Sequence, residues 1–126
     1  MKLLTEGGNV FKNADGAAAT QRINQTDVKP TVRWLEQLTG LPLMDNMLGS
    51  TGQKPTSGDL DLAVDSAVIS KDDLSNRLTQ WAVSHGFDPV EWTKKSGISV
   101  HFKTPITGRP EQGYVQTDFM FVQKPE

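Results

Sequence analysis

The chain has no cysteine among its 126 residues, which excludes disulfide bonds and metal sites built on thiolates. No apolar run approaches the length of a membrane span, so we expect no membrane contact, no signal peptide and a cytoplasmic location. The formal net charge is −2, which argues against a domain that binds nucleic acid through an overall positive charge. Function therefore has to come from a local arrangement of residues.

The composition is that of a folded domain, since 36% of the residues are hydrophobic and 22% are charged. The length predicts a single domain over residues 1–126 with a core of moderate size. Residues 1–26 are weakly patterned and are predicted to form an N-terminal arm that lies over the domain or is partly mobile.

Apolar periodicity predicts two helices and five strands. The first helix covers residues 27–39, with Pro30 in its first turn and Gly40 as its stop. The other segments follow in the order strand 43–48, strand 58–64, helix 70–86, strand 90–93, strand 98–103 and strand 114–122. Ser70 and Asp73 form a capping box at the start of the second helix. This order predicts an α+β fold, a mixed β-sheet with helices packed on one face.

Two carboxylates, Asp59 and Asp61, alternate with Leu60 and Leu62 in predicted strand 58–64. Because strand side chains alternate between faces and two residues rise only about 6.6 Å, both carboxylates project from one face. Carboxylates held that close repel each other unless a cation lies between them. The pattern predicts a site for a divalent metal ion.

The turn at Gly49 and Ser50 precedes this strand and follows an apolar segment. Small residues let backbone N–H groups approach a phosphate closely, so the turn is a candidate phosphate contact. The alternative is an ordinary turn, because Gly and Ser are common in turns. Lys54 lies in the polar loop that follows and is a candidate to reach a triphosphate, although a loop cation is more often solvated.

Asp118 stands in the middle of predicted strand 114–122, among largely apolar residues. A buried carboxylate is costly there unless it is paired, hydrogen-bonded or metal-bound. If this strand neighbours strand 58–64, about 4.8 Å away, Asp118 completes a cluster of three carboxylates. The alternative partner is a lysine such as Lys103. His101, on strand 98–103, is predicted to be structural or exposed rather than catalytic.

A resemblance joins these motifs. Gly49-Ser50, eight residues, then Asp59-Leu60-Asp61-Leu62, and later Thr117-Asp118-Phe119 resemble the signature of the DNA polymerase beta-like nucleotidyltransferase superfamily. The residues of segment 57–64 are similar to the corresponding motif of archaeal-type CCA-adding enzymes, poly(A) polymerases and small nucleotidyltransferases. The resemblance covers about residues 43–64 and the last strand, and it implies a nucleotidyltransferase-like fold.

The resemblance also implies roles for the residues. Asp59 and Asp61 would hold two Mg²⁺ ions, for which Mn²⁺ is an alternative, and Asp118 would bind the metal nearer the acceptor and accept the hydroxyl proton. Gly49 and Ser50 would contact the β- and γ-phosphates of a nucleoside triphosphate such as ATP. The implied reaction transfers a nucleoside monophosphate to a hydroxyl acceptor and releases pyrophosphate. The acceptor is an RNA 3′ end, a protein hydroxyl or a small molecule.

The sequence leaves two alternatives open. Many members of that superfamily carry a helical domain after the third carboxylate, whereas this chain stops at Glu126. We therefore expect either a minimal enzyme that dimerises or works with a partner, or the front part of a longer protein. The alternative function is a nucleotide- or metal-binding module without turnover, acting in regulation or assembly.

Overall fold

The computed structural model of the chain describes residues 11–12, 16, 18–49 and 51–123. Its helices are α1 (Gln25–Thr39), α2 (Lys71–Ser84) and the short α3 (Pro89–Trp92). Its strands are β1 (Ile23–Asn24), β2 (Thr56–Ser57), β3 (Asp59–Asp65), β4 (Thr93–Ser96), β5 (Ser99–Pro105) and β6 (Tyr114–Val122). No helix in the described part of the chain combines the length and the apolar character needed to cross a membrane.

The main sheet has four strands in the order β3-β6-β5-β4, and the small second sheet pairs β1 with β2. β3 runs parallel to β6, whereas β6 with β5 and β5 with β4 are antiparallel. A parallel pair needs a crossover connection, and the chain between β3 and β6 supplies it through both later helices and the β4–β5 hairpin. The prediction of a mixed sheet combined with helices is confirmed.

One face of the main sheet forms the core together with α1 and α2. Leu60 and Leu62 of β3 are fully buried there, as is Phe119 of β6. The helices contribute their apolar stripes to the same cluster, namely Val28, Val32, Leu35, Leu74 and Leu78. Because neighbouring strand residues point the opposite way, the acidic residues that alternate with these leucines lie on the other face of the sheet.

Both long helices end and begin largely as their sequences predict. Gly40 adopts a left-handed conformation after α1, and its N–H donates to the Glu36 carbonyl at 2.8 Å. The Ser70 hydroxyl accepts from the Asp73 N–H at 3.0 Å, which confirms the predicted cap of α2. The start of α1 was predicted two residues late. The Gln25 N–H donates to the Pro55 carbonyl, so the helix begins as soon as β1 leaves β2, and Pro30 lies beyond the first turn.

The predicted strand 43–48 is wrong. This segment contains a 3₁₀ turn over Met44–Asn46, and only its residue Met47 forms an isolated bridge to Leu62. The physical reason is the Glu36 carboxylate, which accepts from the N–H groups of Leu43 and Met44 at 2.8 and 2.9 Å. A side chain from α1 therefore takes the backbone donors that a strand would have used.

The predicted strand 90–93 is also wrong, because Pro89–Trp92 forms a helical turn. Asp88 caps that turn by accepting from the Val90 N–H at 3.0 Å, and proline is favourable at a first helical position. The strand begins only at Thr93 and includes the lysines that were assigned to the hairpin turn. The hairpin itself is confirmed, and its turn lies between Ser96 and Ser99.

The described part of the N-terminal arm is attached to the domain. Phe11 is buried with the Lys94 ammonium 5.9 Å from its ring centre, and Gln21 donates its N–H to the Tyr114 carbonyl at 2.8 Å. Residues 23–24 then pair with β2 instead of continuing as an irregular arm. Residues 1–10, also predicted as arm, lie outside the described residues.

A pair of glycines with nearly the same positive φ, Gly108 and Gly86, offers a test of the packing. An added Cβ at Gly108 (φ +79°) would stand 2.5 Å from Cδ1 of Trp34, and the Trp34 ring is itself packed against Trp81. At Gly86 (φ +78°) no described atom lies within 4 Å of that position. Both alanine variants bear the left-handed strain of about 1–2 kcal/mol. We expect Gly108→Ala to lose about 1–3 kcal/mol more in the free energy of unfolding than Gly86→Ala, measured by denaturant titration. Equal losses would contradict the described contact with Trp34.

Candidate metal centre

Asp59 and Asp61 lie on β3 with their carboxylates on the same face of the sheet. The exposure of β3 alternates as predicted, with Leu60 and Leu62 fully buried and both aspartates partly exposed. The alternation has a simple cause, since burying the two leucines in the core forces the intervening residues outward.

Asp118 joins this pair from the neighbouring strand. β6 lies directly beside β3, and in the parallel register Asp61 stands opposite Asp118. One oxygen from each of Asp59, Asp61 and Asp118 can be chosen so that all lie within 4.8 Å of one another. The adjacency that the sequence left open is therefore present, and the three carboxylates form one cluster.

The turn before β3 is held against Asp61 by backbone and side-chain hydrogen bonds. The Leu48 N–H donates to the Asp61 carbonyl at 2.7 Å, and the Thr51 hydroxyl accepts from the Asp61 N–H at 3.0 Å. Gly49 between them has φ +59°, and a Cβ added there would stand 3.9 Å from Oδ2 of Asp61. The backbone of the turn thus reaches the edge of the carboxylate cluster. Ser50, the other predicted phosphate contact, lies outside the described residues.

A cleft of about 530 Å³ opens on the same turn. It lies between the start of α1 and the turn, and its lining includes Lys29, Met44, Met47, Thr51 and Gln53. Small-molecule sites have volumes of about 300–1,000 Å³ and combine apolar walls with a few polar groups. The cleft has the volume of such a site, but its lining is mostly polar. One lining residue is Thr51, whose hydroxyl accepts from the Asp61 N–H.

The carboxylates are partly buried and repel one another. Partial burial, followed by the charges of Asp59 and Asp118, raises the pKa of Asp61 to about 6. Burial and the charge of Asp118 also raise the pKa of Asp59, which the Arg22 guanidinium partly offsets. Oxygen ligands with mutually repelling charges are the donor set that Mg²⁺ and Mn²⁺ prefer, so the residues present fit a divalent metal ion.

Lysines do not complete the cluster. Lys54 is exposed in the loop before β2, and neither of the two ion pairs in the described residues involves it. Lys103, the alternative partner of Asp118, instead places its ammonium 3.8 Å from the ring centre of Trp92 and 4.8 Å from that of Tyr114. The alternative pairing with Lys103 is therefore wrong.

Three polar residues at the cluster were not predicted as part of it. His101 Nδ1 lies 2.6 Å from Oδ1 of Asp118, and the Gln116 amide donates to the same oxygen at 3.1 Å. Arg22 donates to the hydroxyl and the carbonyl of Thr56 at 3.0 and 3.2 Å, just before Asp59. The alternating pattern of strand 98–103 predicted that His101 points away from its apolar neighbours. It did not predict the register with β6, which places His101 opposite Asp118. Arg22 lies in the weakly patterned segment 1–26, where no sequence motif indicated a position near Asp59.

The raised pKa of Asp61 has a consequence for stability without metal. A carboxyl group with a folded pKa near 6 and an ordinary value of 3.8 favours folding below about pH 4, and that contribution is lost as pH rises through 6. With a chelator present, we expect the melting temperature of the wild type to fall by a few degrees more than that of Asp61→Asn between pH 4 and pH 7. Parallel curves for the two proteins in thermal unfolding would contradict the electrostatic account.

Comparisons of the chain with known protein families, with curated proteins and with solved structures give no match. The cluster and its surroundings are therefore interpreted from their own chemistry, and the family resemblance stays a prediction.

Proposed function

We propose that the protein is a Mg²⁺-dependent nucleotidyltransferase, which moves a nucleoside monophosphate from a nucleoside triphosphate to a hydroxyl acceptor and releases pyrophosphate. One observation carries the proposal. Asp61 and Asp118 stand opposite each other on parallel strands, with Asp59 within reach, beside a turn at Gly49 whose backbone approaches the Asp61 carboxylate.

The donor set supports a role for divalent metal. The three carboxylates supply only hard oxygen ligands, and each additional negative charge among them is unfavourable until a cation binds. A pair of Mg²⁺ ions, when bound, would activate the attacking hydroxyl and neutralise charge on the leaving pyrophosphate.

The chain's own residues have separable tasks in this proposal. Asp59 and Asp61 bind metal, and Asp118 binds metal and takes the proton of the acceptor hydroxyl. The backbone at Gly49 contacts the phosphates, for which close approach without a side chain is needed. The cleft beside Thr51 would receive another part of the nucleotide, and the acceptor is an RNA 3′ end, a protein hydroxyl or a small molecule.

The direct test is incubation of the protein with each labelled nucleoside triphosphate and Mg²⁺, across RNA, protein and small-molecule acceptors. We expect a labelled product and stoichiometric pyrophosphate, both abolished by a chelator and by Asp118→Asn. Nucleotide binding without turnover across all acceptors would instead favour the regulatory module. A melting temperature unchanged by Mg²⁺ and nucleotide together would contradict both functions, because a ligand that binds only the folded state raises that temperature.

A further inference from the structure

Asp118 is fixed in place by two hydrogen-bond donors on a single oxygen. His101 Nδ1 lies 2.6 Å from Oδ1, and the Gln116 amide nitrogen lies 3.1 Å from the same atom. A carboxylate that binds a metal ion is deprotonated and only accepts hydrogen bonds, so in the metal-bound site the donor to Oδ1 would be the Nδ1–H of His101. Neither of these contacts uses the second oxygen, Oδ2, which is therefore the candidate metal ligand.

The position of His101 follows from the sheet register. In β5 it stands directly opposite Asp118, and Asp118 in turn stands opposite Asp61 of β3. The next strand continues the row, because Lys94 of β4 stands opposite His101. A row of facing residues thus crosses all four strands on the face opposite the core, in the order Asp61, Asp118, His101 and Lys94.

The contact between His101 and Asp118 is shielded from solvent. Their side chains are only 13% and 15% exposed, so water competes poorly for the carboxylate. Asp118 also lies beside two carboxylates that repel it. Without a donor on Oδ1, rotation of the carboxylate away from Asp59 and Asp61 would relieve that repulsion. The hydrogen bond from His101 opposes this rotation.

We propose that His101 is a positioning residue, which orients Asp118 toward the metal site by holding Oδ1 with its Nδ1–H. The inference rests on the proposed function, because it assumes that Asp118 binds a metal ion. Partners that orient metal ligands in this way affect metal affinity or activity by about 10–100-fold when they are removed. The imidazole acts through Asp118 and touches neither substrate nor reacting atoms in this scheme.

The test compares His101→Leu, which removes the donor, with His101→Asn, whose amide nitrogen stands about where Nδ1 does. We expect His101→Leu to weaken Mn²⁺ binding, measured by electron paramagnetic resonance without substrate, by about 10–100-fold. We expect kcat to fall and the Mg²⁺ concentration for half-maximal activity to rise, while KM for the nucleotide changes little. His101→Asn should recover most of both losses.

His85 provides the matched control, because it is an exposed histidine at the C-terminal end of α2 that packs on Trp81. We expect His85→Asn to leave Mn²⁺ affinity and kcat at the wild-type values. If His101→Leu does not fold, His101→Gln, whose amide extends past the Nδ1 position, replaces it with the same expected direction.

Two results would overturn the inference, and they separate it from the proposed function. Wild-type Mn²⁺ affinity and kcat in His101→Leu, with Asp118→Asn inactive, would give His101 a structural role only and leave the proposed function standing. Full Mn²⁺ affinity and activity in Asp118→Asn would overturn the proposed function itself.

Discussion

The variant Asp61→Asn is expected to lose nucleotidyl transfer by more than about 100-fold, beyond the effect of losing a residue that only orients a ligand. The same variant is expected to make the metal-free protein more stable at pH 7. Both effects have one cause, since partial burial and the charges of Asp59 and Asp118, which raise the pKa of Asp61 to about 6, make the Asp61 charge unfavourable until a metal ion binds. Transfer assays and thermal unfolding in a chelator measure the two effects.

Asp65→Asn is the matched control for that variant. Asp65 lies on the same strand and the same face as Asp61, four residues further along, and its Oδ1 accepts from the Ala67 N–H at 2.9 Å. An asparagine keeps that hydrogen bond while it removes the same charge. We expect nearly wild-type transfer and no comparable gain in stability. If Asp65→Asn and Asp61→Asn behave alike, the site does not depend on the cluster.

The variant Phe119→Ala is expected to cost about 3–5 kcal/mol of the free energy of unfolding. Phe119 is fully buried in β6 and stands between Leu62 of β3 and Val100 of β5 in the sheet register. The free energy of unfolding of an ordinary domain is only about 5–15 kcal/mol, so this variant should be close to unfolding at 37 °C. Because Phe119 follows Asp118, loss of this anchor also removes support from the strand that carries the third carboxylate.

Denaturant titration measures the effect of Phe119→Ala, with Phe119→Leu as the conservative comparison. Leucine fills much of the same volume, so we expect Phe119→Leu to lose less than half as much free energy of unfolding as Phe119→Ala. A cost below about 1 kcal/mol for Phe119→Ala would be typical of a surface position and would contradict the described core.

Elements with a strong local pattern could be predicted from the sequence. The final strand, Tyr114–Val122, has the predicted bounds, and the cap of α2 is formed by the predicted serine. Asp59 and Asp61 could also be assigned to one face, because the alternation with leucines fixes their direction within the strand. These features depend on residues close in sequence, which is why pattern alone was sufficient.

Several errors arose where a side chain outside a segment decides the local structure of that segment. The segment 43–48 has the composition of a strand, yet Glu36 captures its backbone N–H groups and leaves only Met47 to bridge β3. The bond between His101 and Asp118 depends on the register of β5 with β6, which no local pattern encodes. The predicted three-carboxylate cluster also required β3 and β6 to be neighbours. The sequence did not predict that adjacency, and the structure shows it.

The most direct test of the metal-dependent site is a crystal structure of the protein with Mn²⁺ and a non-hydrolysable nucleoside triphosphate, in which anomalous scattering locates the metal. The account predicts manganese between Asp59, Asp61 and Asp118, with the phosphates against the backbone at Gly49. Manganese or nucleotide bound elsewhere, with the three carboxylates free of metal at saturating concentrations, would contradict it.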